Sequence, residues 1–178
     1  MRNAQDANGR RASFRIMLFT DEFRWRLNSH DALENGPVQP DFTPEMRAVL
    51  NDVREIICVG ASSEELPTGM SVDKGRALEE QRSARRAEQI AVWVRRALSR
   101  PIPIRKLNVG HHQATHGPRD TSDQRRVVII LVLDKDERTN IDEALRAAMA
   151  HERDRAPVFD ALLTKYSLAT AERFTWVN

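Results

Sequence analysis

The chain has 178 residues, of which 30% are charged and 40% are hydrophobic, and its formal net charge at pH 7 is only +2. The length fits about one domain with a sizeable core, and the composition is ordinary for a globular protein. A charge so close to zero argues against a protein that binds nucleic acid mainly through electrostatics. No stretch approaches the roughly 20 apolar residues of a membrane span.

Two features of the sequence bear on the compartment. The single cysteine, Cys58, lies inside an apolar run, which indicates a buried thiol and allows no intramolecular disulfide. The N-terminal residues lack the apolar core of a secretory signal, so we expect a cytoplasmic chain. No glycine-rich phosphate loop is present, and we expect no cofactor.

The first part of the chain predicts one strand and one helix. Residues 1–12 are polar and are expected to be disordered. The apolar run Phe14–Phe19 predicts a strand, and a loop follows over residues 21–39. A helix begins at Thr43, because Thr can cap a helix and Pro44 fits its first turn. Its apolar face repeats at i, i+3, i+4 and i+7, at Met46, Val49, Leu50 and Val53.

The middle of the chain predicts three strands and one long helix. Residues 56–59 read as a buried strand, and the long helix begins just after Gly75 and ends near Leu98. Two more strands are predicted over residues 104–109 and 126–133, and the second of these is the most apolar run in the chain.

The C-terminal part is predicted to be largely helical. Asn140 can cap a helix, with Glu143 at the capping-box position. A short amphipathic helix is predicted over residues 158–166. Residues 174–177 are expected to form an ordered tail or a final edge strand.

This order of elements predicts an α+β fold. We expect a two-layer sandwich, in which a mixed β-sheet carries helices on one face, followed by a helical C-terminal extension. The expected divisions are a disordered N-terminus over residues 1–12, the sandwich domain over residues 13–134 and the extension over residues 135–178.

Several segments, in this order, resemble the OmpA-like domain, the C-terminal module of outer-membrane protein A and of flagellar stator proteins. The family helix carries Leu-Ser-x-x-Arg-Ala, and residues 82–87 read Arg-Ser-Ala-Arg-Arg-Ala. The family's last strand opens Asn-Arg-Arg-Val, and residues 124–127 read Gln-Arg-Arg-Val. Gly110 is similar to a family glycine. The resemblance covers residues 14–133 and implies the OmpA-like sandwich.

The resemblance also implies peptidoglycan binding, and a periplasmic location if that role holds. In the family, an Asp and the helical Arg hold the charged ends of diaminopimelate, a zwitterion that needs one carboxylate and one guanidinium. The helical Arg corresponds to Arg86. The family Asp falls on a serine, and a neighbouring glutamate can replace it. The implied ligand-binding residues are Ser62, Ser63, Glu64, Ser83, Arg86 and Arg126.

Each candidate residue also has a structural interpretation. Arg86 can pair with a carboxylate of a strand or loop and stabilise the fold. Arg125 and Arg126 point to opposite faces of a strand, so at most one of them reaches a shared site. Ser62 and Ser63 can form a turn or a cap.

Metal binding and catalysis find little support in the sequence. His111, His112 and His116 lie between two glycines, which argues against a helix there, and no cysteine or clear acidic ligand is near, so no metal site is expected. No serine lies in a nucleophile-elbow context. We therefore do not expect an enzyme.

Three classes of function remain, in order of preference. The first is a non-catalytic binding module for peptidoglycan. The second is a cytoplasmic protein–protein interaction module that keeps the OmpA-like fold without binding peptidoglycan, with its partner on the C-terminal extension. The third is an enzyme, or a nucleic-acid binder that uses the arginines of the long helix.

Overall fold

The sheet and its helices come from most of the chain. The structure is a computed structural model, and it describes residues 1–19, 23–34, 42–65, 68–113, 121–150, 162, 164–169 and 174–178. The described residues form an α+β fold with six strands, three α-helices and a short 3-10 helix over Ser122–Arg125. The strands are β1 (Arg2–Gln5), β2 (Arg11–Leu18), β3 (Glu55–Ser62), β4 (Ile104–His111), β5 (Val128–Lys135) and β6 (Thr175–Val177). The helices are α1 (Pro44–Asn51), α2 (Val72–Ala97) and α3 (Ile141–Ala150).

The six strands form one open mixed sheet in the order β1-β2-β5-β3-β4-β6. Strands β3 and β4 run parallel, and they are connected by the long helix α2. The other neighbouring strands pair antiparallel. The predicted mixed sheet is therefore confirmed, and its two most central strands, β5 and β3, are the apolar runs that the sequence singled out.

Helices α1 and α2 of the predicted sandwich pack on one face of the sheet, as expected, and α3 of the C-terminal part packs on the other face. Ile57 and Val59 pack in a core cluster with α3, whereas Ile56 and Cys58 pack in a second cluster with α1 and α2. Neighbouring residues of a strand point to opposite faces. Since every residue of β3 is buried, a one-sided sandwich would leave half of its apolar side chains in water.

The N-terminal residues, which were expected to be disordered, form strand β1. They pair with β2 across a turn at Gly9, whose φ of 75° favours glycine. Ala4 joins the core, and Arg2 Nη1 donates a hydrogen bond to the Ala148 carbonyl of α3 at 2.7 Å. The polar composition of residues 1–12 led to the prediction of disorder. An edge strand can nevertheless be polar, because it needs to bury only one of its two faces.

Helix α1 follows its predicted signals, whereas α2 begins at Val72, before the predicted start just after Gly75. Thr43 caps α1, because its hydroxyl oxygen accepts a hydrogen bond from the Met46 amide at 3.3 Å. Helix α2 packs against β3 at Gly60, where an added β-carbon would lie 1.8 Å from the Ser83 carbonyl oxygen. The glycine thus permits the helix to approach the strand backbone directly.

Residues beyond 134 complete the core. Helix α3 packs on β1 and β2, and Tyr166 and Phe174 belong to the same apolar cluster. β6 forms the edge beside β4, which confirms the predicted final edge strand. The helix expected over residues 158–166 lies mostly outside the described residues. No described helix is both long and apolar enough to cross a bilayer.

Candidate functional site

The predicted site residues gather at the carboxyl ends of the parallel strands β3 and β4. Ser62 ends β3, and Ser83 and Arg86 lie on the buried face of α2, which packs on both strands. All three side chains are buried. Ligands of open α/β sheets bind beyond the carboxyl ends of parallel strands, so we take this edge as the candidate site.

Arg86 lies at the centre of this edge and is only 1% exposed. Its Nη1 donates to the Ala61 carbonyl at 2.8 Å. Its Nε and Nη2 both donate to the Ser29 carbonyl, at 2.9 and 2.7 Å, and Nη2 lies 3.5 Å from the Arg26 carbonyl. The guanidinium is therefore held by backbone carbonyl oxygens, and not by the carboxylate that a structural arginine was expected to find.

Two of these carbonyl groups belong to a surface loop over residues 26–32, which we call the tip. Trp25, which precedes the tip, lies beneath the guanidinium: Cζ of Arg86 is 5.4 Å from the centre of the indole ring. Trp25 in turn stacks on Trp93 of α2, with 5.0 Å between ring centres. The tip thus covers Arg86, and the residue that precedes the tip, Trp25, is packed firmly in the core.

The electrostatic surroundings of Arg86 are mixed. Burial and the charge of Arg82 lower the pKa of Arg86 to about 9, and the charge of Glu79 opposes the shift. The guanidinium therefore stays charged at pH 7. Carbonyl dipoles replace the water that burial has removed from it.

The serines of the predicted site serve the packing of α2. Ser62 Oγ donates to the Glu79 carbonyl at 2.9 Å. Ser83 Oγ donates to the Glu80 carbonyl at 2.9 Å and also bonds to the side-chain oxygen of Asn108 on β4. Ser63, after β3, is 2% exposed. The hydroxyl groups of Ser62 and Ser83 satisfy polar atoms between the helix and the sheet.

Glu64 is buried, but its carboxylate faces His112 and not Arg86. The distance from Glu64 Oε2 to His112 Nδ1 is 3.5 Å, and the Glu64 side chain is 7% exposed. The Glu64 amide donates to the side-chain oxygen of Gln124 at 3.0 Å. His112 Nδ1 is therefore the polar atom that Glu64 Oε2 faces.

The two consecutive arginines at 125 and 126 differ in position. Arg126 Nη2 bonds to Asp123 at 2.7 Å, with 38% of its side chain exposed. Arg125 is buried and donates to the Trp25 carbonyl at 2.8 Å, and its charge contributes to lowering the pKa of Arg86. Arg125 is thus the buried arginine of the two, and Arg126 is partly exposed.

Sequence reasoning missed one ion pair of the site. Glu79 is fully buried beside Arg82, and the two side chains form an ion pair. Burial raises the pKa of Glu79, and Arg82 opposes that shift. The sequence did contain a signal that these side chains share one buried helix face. The spacing i, i+3, i+4 and i+7 is typical of such a face, and it holds for Glu79, Arg82, Ser83 and Arg86.

The two described histidines of the site each face a carboxylate. His111 Nδ1 lies 3.5 Å from Glu80 Oε1, and Ser167 Oγ donates to the same oxygen at 2.9 Å. Burial lowers the pKa of both His111 and His112, and the facing carboxylates oppose the shift. Within the described ranges no three acidic, His or Cys side chains converge as metal ligands, and His116 lies outside them.

Neither a protein-family model nor a curated protein sequence matches the chain.

Proposed function

We propose that the chain is a non-catalytic binding module, similar to OmpA-like domains, in which Arg86 receives a carboxylate of a peptidoglycan stem. One observation carries this proposal. The guanidinium lies at the carboxyl ends of β3 and β4, and its Nε and Nη2 converge on one acceptor oxygen, Ser29 O. A ligand carboxylate presents oxygens to the same pair of donors.

Two further features support the proposal. The succession strand, helix, strand, helix, strand, strand, on which the resemblance rests, recurs as β2, α1, β3, α2, β4 and β5. The ammonium group of a zwitterion would also find an acceptor near the same edge in the carboxylate of Glu64, which faces His112 at 3.5 Å.

A second candidate is a protein–protein interaction module that keeps the fold without binding peptidoglycan. The observation in its favour is that backbone carbonyl groups already hold the guanidinium of Arg86. Met70 and Val72, at the start of α2, are 51% and 50% exposed, and exposed apolar side chains are useful for a protein partner.

Cosedimentation with purified peptidoglycan tests the first candidate. We expect wild type to sediment with the polymer and Arg86→Lys to stay in solution, because a lysine cannot present two donors in one plane. Arg85→Lys is the matched control, since Arg85 is the exposed neighbour on the same helix. Retention of Arg86→Lys at the wild-type level would contradict the proposal.

A further inference from the structure

The carbonyl groups that hold Arg86 belong in part to an exposed loop. We propose that the tip, residues 26–32, is an autoinhibitory plug that occupies the Arg86 guanidinium until a ligand carboxylate displaces it. This inference rests on the proposed function, and it names the regulation of the same site.

The base of the tip is anchored. Trp25 and Leu33 form an antiparallel bridge, and both side chains are buried, at 0% and 6% exposure. The Arg26 amide donates to the Ala32 carbonyl at 2.9 Å, which closes the loop just above this bridge. The tip can therefore move without disturbing the core beneath it.

The tip also holds its own shape. The Ser29 amide donates to the Arg26 carbonyl at 3.0 Å, and the Ser29 hydroxyl bonds to Asp31 at 2.8 Å and accepts from the Ala32 amide at 2.9 Å. Asn28 sits at a φ of 59°, a left-handed turn conformation that asparagine tolerates. Internal bonds of this kind let a loop move as one unit.

Arg86 would keep its place if the tip moved. Its Nη1 is bonded to the Ala61 carbonyl of β3, in the centre of the sheet, while Nε and Nη2 are bonded to the tip. Displacement of the tip would therefore free two donors in one plane on an arginine that the strand still positions. Such a planar pair suits a carboxylate.

Shortening the tip tests the plug. The short-tip variant replaces residues 27–31 by Asn-Gly, a two-residue turn that suits the antiparallel pair Arg26 and Ala32. Because the apparent affinity of a closed site is reduced by its open fraction, we expect the short-tip variant to bind meso-diaminopimelate roughly tenfold more tightly than wild type in calorimetric titration. Asn28→Gly, which keeps the turn, is the matched control and should bind like wild type.

The outcomes separate the plug from the proposed function. Tighter binding by the short-tip variant that Arg86→Lys abolishes supports both. Equal affinity of wild type and short-tip variant overturns the plug and leaves the binding module standing. Failure of both folded chains to bind meso-diaminopimelate or peptidoglycan overturns the proposed function, and the plug with it.

A spin label decides the question if the short-tip variant does not fold. Leu27 is 43% exposed, and Cys58 is fully buried, so Leu27→Cys allows labelling of the tip alone. We expect saturating meso-diaminopimelate to increase the mobility of the label. Unchanged mobility while calorimetry shows the labelled chain saturated would overturn the plug.

Discussion

Gly60 on β3 and Ser83 on α2 touch through their backbones: a β-carbon on Gly60 would lie 1.8 Å from the Ser83 carbonyl oxygen. This contact sets the depth at which α2 lies on the sheet, and with it the position of Arg86 one turn further along the helix. The site therefore depends on a residue that has no side chain.

Gly60→Ala should destabilise the fold strongly. The added methyl group meets backbone, which cannot rotate away, so we expect a loss of at least about 3 kcal/mol in the free energy of unfolding. Urea unfolding measures it. Gly9→Ala is the control: space is open there and only the φ of 75° is strained, so its cost should be about 1 kcal/mol. Equal costs at the two glycines would contradict the close approach.

Arg86 and the tip should be energetically coupled. Arg86→Lys leaves the carbonyl groups of Ser29 and Ala61 without their planar donor, and we expect it to cost about 2–4 kcal/mol in wild type. In the short-tip variant the Ser29 carbonyl is already gone, so the same substitution should cost at least about 1 kcal/mol less. A double-mutant cycle from urea unfolding gives the coupling free energy, and a value near zero would mean that the tip does not hold Arg86.

The extent to which the sequence predicted the fold can be seen at three places. The helix signal at Thr43 and Pro44 is local, and α1 begins at Pro44. The apolar runs of β3 and β5 were recognised as strands, but the sequence did not show that α3 covers the second face of the sheet. β1 was missed because its stability comes from pairing with β2 and contact with α3, which no local pattern reveals.

The candidate residues were chosen by their positions in a motif, and their binding roles stay predictions. Arg86 was singled out from a motif, and the structure places it at the carboxyl edge of the sheet with Ser62 and Ser83. Its partners Ser29 and Ala61 could not be predicted, because they are backbone carbonyl groups, which every residue carries. The expectation that Arg125 and Arg126 point to opposite faces assumed that both lie on a strand, but β5 begins only at Val128.

Strand β1 should contribute measurably to stability. Deleting residues 1–6 removes its ladder to β2 and the hydrogen bond from Arg2 to Ala148, so we expect a loss of at least about 2 kcal/mol in the free energy of unfolding. Gln5→Ala, an exposed change on the same strand, should stay within about 0.5 kcal/mol of wild type. If the deletion variant is as stable as wild type, these residues behave as a disordered tail and not as a strand.

Protonation of His111 and His112 should lower the stability as the pH drops below 6.5. Burial lowers the pKa of His111 and His112 from their ordinary value of 6.5, so the unfolded chain takes up these protons before the folded chain does. The free energy of unfolding therefore decreases between pH 7 and pH 5. In urea unfolding at both pH values, a chain with His111→Gln and His112→Gln should lose less stability over this range than wild type. Equal losses would show that neither histidine drives the change.

The Nε–H resonance of Arg86 in an NMR spectrum of the ¹⁵N-labelled chain tests the central claim most directly, because it reports the acceptor of that hydrogen. Arg86→Lys assigns the resonance. Addition of meso-diaminopimelate should shift it in a saturable manner, as the Ser29 carbonyl is exchanged for a carboxylate. If the chain is retained by peptidoglycan while this resonance stays where it is throughout the titration, Arg86 is a structural arginine and the ligand binds elsewhere.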